Sequence, residues 1–145
     1  MEEPLAQALT TVTKRYLYGI SKSLLHLSID RYHYVLVLID AHQEALSQKG
    51  LSELLHIDKS YFVSMLDYLG EKGYIIREKN PNDRREQRIK LTLKARKDLP
   101  VIRRAIEELN NLSLRNINDA DKIIFAQVLR NIQDNLLDIV PKPIS

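Results

Sequence analysis

Gly73-Tyr74-Ile75-Ile76-Arg77-Glu78-Lys79-Asn80-Pro81-Asn82-Asp83-Arg84-Arg85-Glu86-Gln87-Arg88-Ile89-Lys90-Leu91-Thr92 is the stretch where the hydrophobic period of this 145-residue chain changes. Before Gly73, apolar residues recur every three or four positions, the spacing of helices packed on one side. After it, Tyr74-Ile75-Ile76 is a short apolar run. Arg88-Ile89-Lys90-Leu91-Thr92 then alternates with the period of two that marks a half-buried strand. Between them, Lys79 to Glu86 is rich in turn formers and too polar for a core. The pattern predicts two strands joined by a long charged hairpin.

Upstream, Asp58 stands where it can cap a helix whose Phe62, Met65, Leu66 and Leu69 fall at i, i+3, i+4 and i+7, and Gly73 suits a left-handed C-cap. The segment Leu46–Leu55, with Ser47 as its cap, predicts a shorter helix that turns Leu51, Leu54 and Leu55 inward. The turn His56-Ile57-Asp58 joins these two as a helix-turn-helix, and the strand pair behind it makes a winged helix. Such a unit offers its second helix to the DNA major groove and its hairpin to the adjacent minor groove, whose negative potential attracts arginine.

Further out, Leu5, Leu9, Val12, Tyr16, Ile20 and Leu24 form one stripe along a helix of about twenty residues. Asp30 is the expected N-cap of the next helix, with Tyr34, Val35, Leu38 and Ile39 inward. Thr92 caps a helix carrying Leu99, Ile102, Ile106 and Leu109, which Pro100 should kink or break. Asn118 or Asp119 caps the last, with Ile123, Ile124, Val128, Leu129, Ile132, Leu136 and Leu137, and the tail from Pro141 cannot continue it. The fold expected is mainly α with a small two-stranded β wing: a single domain over 1–145, in which 46–92 is the winged helix. The flanking segments 1–45 and 93–145 are helical and form a dimerisation region, because a monomer of this size could not cover all their apolar stripes.

Composition narrows the function. The chain has no cysteine, which removes disulfides and thiol chemistry. Its acidic amino terminus leads into no apolar core, so no signal peptide is expected, no membrane partner is indicated, and a cytoplasmic location is the economical reading. Residues 77–97 carry nine Lys/Arg against three Asp/Glu, a local +6 in a chain whose total is +3, so the positive excess is concentrated on the hairpin and its exit. That concentration beside a helix-turn-helix points to a polyanion. None of the motifs of phosphate loops, dinucleotide sites, serine hydrolases or zinc proteases occurs, so neither an enzyme nor a cofactor is expected. His26, His33, His42 and His56 are scattered, and no metal site is expected.

The residues Leu46-Ser47-Gln48, Asp58-Lys59-Ser60, Leu69 through Arg77, and Asp83-x-Arg85 followed by Leu91-Thr92 resemble the MarR (multiple-antibiotic-resistance-regulator) family, and helix order extends the resemblance over nearly the whole chain. The resemblance implies a bacterial transcription regulator, a homodimer binding an inverted repeat of double-stranded DNA. A repressor is expected, because a chain of this size has room only for DNA binding and dimerisation. The resemblance implies that Arg85 enters the minor groove and that Asp83 pairs with Arg77 to orient the wing, with Arg84 and Arg88 as phosphate contacts or solvated residues. On the recognition helix, Lys59, Ser60, Tyr61 and Ser64 lie nearest the bases, though Ser64 and Tyr68 stand where family members often carry arginine. A crevice for a small phenolic or anionic effector is a further implication, with Tyr16, Tyr18, Tyr32, His33 and Tyr34 as candidate lining. Cysteine being absent, the family's thiol-based peroxide sensing does not apply. The competing expectation is a winged helix that docks a protein instead of DNA.

Overall fold

A computed structural model describes residues 4–42 and 47–139. Leu46 and the tail from Pro141 lie outside the described residues. The elements are α1 (Leu5–Ser23), α2 (His33–Ala41), α3 (Gln48–Leu54), α4 (Lys59–Glu71), β1 (Ile75–Asn80), β2 (Asp83–Leu91), α5 (Leu93–Ser113) and α6 (Asp119–Leu136), closed by a short 3-10 turn at Leu137–Ile139. The fold is the winged helix with long terminal helices that the sequence predicts.

Local capping explains most boundaries. Ser47 accepts a hydrogen bond from the Gly50 amide, Asp58 from Tyr61, Thr92 from Ala95 and Asn118 from Asp121, so four helices start on side-chain caps. Gly73 has φ +80°, a conformation in which any side chain would be strained, and it turns the chain from α4 into β1. Thr92 closes the base of the hairpin. Its hydroxyl donates to the Gly73 carbonyl at 2.6 Å and its amide to the Tyr74 carbonyl at 3.1 Å.

Four expectations are corrected. Asp30 does not cap α2: Tyr32 precedes the helix in a left-handed conformation, φ +65°, without a side-chain cap, and Asp30 is engaged across the fold instead. The polar stretch Lys79–Glu86 is not all connection. The strands run through the charged residues to a two-residue turn at Pro81-Asn82, because Asn80 accepts from the Asn82 amide at 3.0 Å and donates to Glu86 at 3.0 Å. The pairing jumps from Lys79–Gln87 to Asn80–Asp83, which leaves Arg84, Arg85 and Glu86 as a bulge. Pro100 does not break α5, since Leu99 and Ile102 are buried beside it while the proline ring stays on the solvent side. Leu54, expected inward, is also largely exposed.

One core joins the parts. Leu36 and Ile39 of α2, Leu51 of α3, the α4 stripe, Ile75 and Leu91 of the strands, and Leu99 and Ile102 of α5 form a continuous buried cluster. Tyr74 is wholly buried within it, and its hydroxyl donates to Asp98 of α5 at 2.6 Å. Burial, and then this bond, push the tyrosine pKa up to about 12. By contrast, α6 buries none of its side chains.

The neutral tyrosine is favoured by folding, so its contribution holds below pH 10 and fades as pH rises through about 12. Tyr74→Phe should cost about 0.5–1.5 kcal/mol in urea unfolding at neutral pH and should flatten the loss of stability between pH 10 and 12.

Candidate nucleic-acid interface

The helix-turn-helix corner is built by His56, at φ +53°, and by the Ile57 amide donating to the Ser52 carbonyl at 3.1 Å. From there α4 presents three surfaces. Phe62, Met65, Leu66 and Leu69 are buried. Tyr61 and Tyr68, seven residues apart, face the segment before α2. Lys59, Ser60, Ser64 and Asp67 lie on the exposed outer face, with Val63 half-buried at its shoulder. The Ser60 hydroxyl donates to Asp58, whose carboxyl is held below its ordinary range by that bond and by the Tyr61 amide. The Ser64 hydroxyl donates to the Ser60 carbonyl at 3.2 Å.

Tyr61, about half exposed, leans toward the segment before α2. Its ring meets Tyr32 edge-on at 6.5 Å, and Tyr32 meets Tyr68 in the same way at 5.6 Å. Tyr68 donates to Asp30 Oδ1 at 2.7 Å and accepts from the Asp30 amide at 3.0 Å. Arg31 lies over the Tyr68 ring at 5.2 Å and also donates to Asp30 at 2.9 Å. The Arg31 and Tyr68 bonds hold the Asp30 carboxyl down at about 2. The Ser21 hydroxyl donates to the Asp30 carbonyl at 2.9 Å, which ties the same segment to α1.

The wing departs from the expected pairing of Asp83 with Arg77. In the ladder Arg77 lies opposite Ile89, whereas Asp83 sits at the far end opposite Asn80, three residues along the strand. Arg77 pairs instead with Asp67 of α4 at 2.5 Å. Asp83 accepts from the Arg85 amide at 3.0 Å and orders the tip of the hairpin rather than its base. Arg84 and Arg85 are exposed in the bulge, and among the described residues neither side chain forms an ion pair. Arg88, on β2 opposite Glu78, forms a backbone bridge with Ser47 that fastens the wing to the start of α3.

Of the five residues expected around an effector crevice, the structure brings together three. Tyr32, His33 and Tyr34 line a cleft of about 110 Å³ with Leu17, Arg31 and Tyr61. His33 is buried, its Nε2 donating to the Ile29 carbonyl at 3.1 Å, and burial lowers its pKa. Tyr18 projects into solvent at 67% exposure, and Tyr16 lies elsewhere, its hydroxyl donating to Asn110. Tyr16 belongs to a larger apolar groove of about 790 Å³ between α1, the end of α5 and α6, lined also by Val12, Leu109, Phe125 and Leu129. Sequence reasoning missed Phe125, although its i, i+4 spacing to Leu129 offered a signal. It also missed Asp30 and Arg31, whose partner Tyr68 is 38 residues away and gives no local sign.

If the Asp30–Tyr68 link anchors the α1–α2 segment to α4, Tyr68→Phe and Asp30→Ala should each speed amide hydrogen exchange at Asp30 and its neighbours. The double substitution should add little to either single one.

The MarR family model matches residues 29–87, which contain α2 to α4, β1 and most of β2. Among solved structures, MarR is 24% identical, with 95% of this chain and 94% of that one covered and a TM-score of 0.75. A mutant MarR from E. coli complexed with operator DNA is 21% identical over 89% of this chain and 93% of its own, TM-score 0.78. Bordetella bronchiseptica BpsR, whose structure concerns regulation of DNA binding by 6-hydroxynicotinic acid, is 17% identical over 92% and 96%, TM-score 0.79. These likenesses give the fold of nearly the whole chain. Residues 29–87 thus match the MarR family model, and nearly the whole chain shares the fold of the MarR structures.

Proposed function

We propose that this chain is a dimeric, sequence-specific DNA-binding repressor that acts in the bacterial cytoplasm on an inverted-repeat operator and is released by a small phenolic or anionic effector. The observation that carries the DNA reading is the placement of Arg84 and Arg85. They stand exposed at the tip of a short hairpin whose base is locked to α4, within the one segment that holds the chain's positive excess. Lysine and arginine on a projecting ribbon beside a recognition helix suit phosphates and a narrow minor groove. The alternative, a protein-docking wing, gives no reason for this concentration of charge at the tip.

The dimer reading rests on α6. Ile123, Ile124, Phe125 and Val128 are 46–61% exposed along one helix, and the groove beside them is apolar. A second copy's terminal helices would cover this surface, which is larger than isolated exposed side chains in a monomer require. Two-fold symmetry then places two recognition helices about one helical turn of DNA apart. Occupancy of that stretch is enough for repression. The effector reading rests on the cleft at Tyr32, His33 and Tyr34, because Tyr61 of α4 forms one of its walls. A ligand there touches the recognition helix directly and must alter DNA affinity if the coupling exists.

Selection from random duplexes should enrich an inverted repeat with half-site centres about 10 base pairs apart. On that operator Arg85→Ala should cost about 1–3 kcal/mol, and Arg84→Ala should lower the slope of log affinity against log salt by about 1, both read by fluorescence anisotropy. Unchanged affinity in both variants would refute the wing assignment. In sedimentation, Phe125→Asp should convert dimer to monomer and should weaken operator binding by roughly 10²-fold or more through loss of the second half-site. A monomeric unsubstituted protein would overturn the dimer.

A further inference from the structure

We propose that the recognition helix reads A·T pairs, through the thymine methyl and the adenine amino group, and not guanine edges. This rests on the DNA-binding reading above and names the class of sequence it selects. The outer face of α4 consists of Lys59 in the first turn and then Ser60, Ser64 and Asp67, with Val63 at its wing-side shoulder. Beyond Lys59, none of these can donate two hydrogen bonds to the N7 and O6 acceptors of a guanine, the contact that arginine or lysine makes.

The hydroxyls narrow the choice further. A serine has one proton. Ser60 gives its proton to Asp58 and Ser64 gives its proton to the Ser60 carbonyl, so both oxygens face outward as acceptors. Asp67 is also an acceptor and is held by Arg77. A surface made of acceptors and one branched apolar side chain fits a base pair that shows an amino donor and a methyl group in the major groove. Adenine supplies the first and thymine the second. Cytosine also shows an amino donor, so the acceptors alone do not choose between the pairs; the methyl beside Val63 is carried by thymine alone, and a guanine sets two acceptors against the serines. Lys59 is the one cation on this face, and its place in the first turn leaves room for one guanine contact per half-site, at the edge. The wing agrees, since narrow minor grooves that attract arginine are a property of A-tracts.

The test uses the full-length protein and the operator enriched by selection. Thymines of each half-site are replaced one at a time by deoxyuridine, which removes the 5-methyl group and leaves pairing intact. The expected result is an A·T-rich half-site in which at least one replacement weakens binding about fourfold, the value of one buried methyl. Replacements outside the half-sites should have no effect. Val63→Ala should bind the thymine operator more weakly and should be indifferent to deoxyuridine at the same position, with the dimer and the salt slope unchanged. Val63→Thr, which keeps one methyl, should retain part of the sensitivity. Specific binding to a half-site whose contacted pairs are G·C, or binding indifferent to every methyl, would overturn this inference and leave the DNA reading standing. Failure to enrich any sequence would instead overturn the DNA reading itself.

Discussion

Rotation of α4 about its own axis is fixed by four side chains. Phe62, Met65, Leu66 and Leu69 are each at most 2% exposed, and each contributes about 1.5–3 kcal/mol by leaving water. A turn of the helix by one residue would carry that stripe into solvent, so the outer face cannot be re-aimed cheaply. Everything a nucleic acid could meet on this helix is therefore set by what the core requires. Tyr61 and Tyr68 fall on one shoulder of the stripe, against Tyr32 and Asp30, and Val63 falls on the other, toward the wing.

The wing is held to this frame and not merely attached to it. Arg77 joins β1 to α4 through Asp67, Thr92 ties both strand ends to Gly73, and the Arg88–Ser47 bridge fastens β2 to the start of α3. With its base fixed at three places, the hairpin can carry charge to its tip without an apolar face of its own. Glu78 and Lys90 pair across the strands at 2.8 Å, an exposed bridge of the kind worth little to stability. The strand ladder itself carries the ribbon out to the bulge that holds Arg84 and Arg85.

Much of this was legible in the sequence because its causes are local. The caps at Ser47, Asp58, Thr92 and Asn118 follow from residue type and position, and the α4 stripe from a spacing of three and four. What could not be read depended on partners distant in the chain. Asp30 has the chemistry of a cap, but Tyr68 offers its carboxylate a better-placed donor across the fold. The resemblance pairs Asp83 with Arg77, whereas the register sets Arg77 opposite Ile89 and Asp83 opposite Asn80. The polar stretch Lys79–Glu86 reads as connection alone, a rule that fails for a ribbon that projects into solvent and needs no buried face. At the candidate crevice, Tyr16 and Tyr18 share a helix with Leu17, yet only Leu17 points toward the cleft.

Tyr32 joins these observations. A tyrosine in the left-handed region costs roughly 1–2 kcal/mol relative to ordinary backbone. What offsets that cost is the position it gives the ring, edge-on to both Tyr61 and Tyr68, two turns apart on α4. The neighbouring Asp30 is bonded to α1 through Ser21 and to α4 through Tyr68, and Arg31 and Tyr32 line the cleft. Three consecutive residues thus touch the long N-terminal helix, α4 and the cleft between them. A strained residue kept at such a junction is a point where a small displacement has to be shared. If the Tyr32 ring moves to admit a ligand, Tyr61 and Tyr68 lose their contacts together. The core stripe still fixes the rotation of α4, so the response open to the helix is a shift along or across its packing surface. In the proposed dimer a shift of that kind would change the distance between the two copies of α4 while leaving the chemistry of their outer faces untouched.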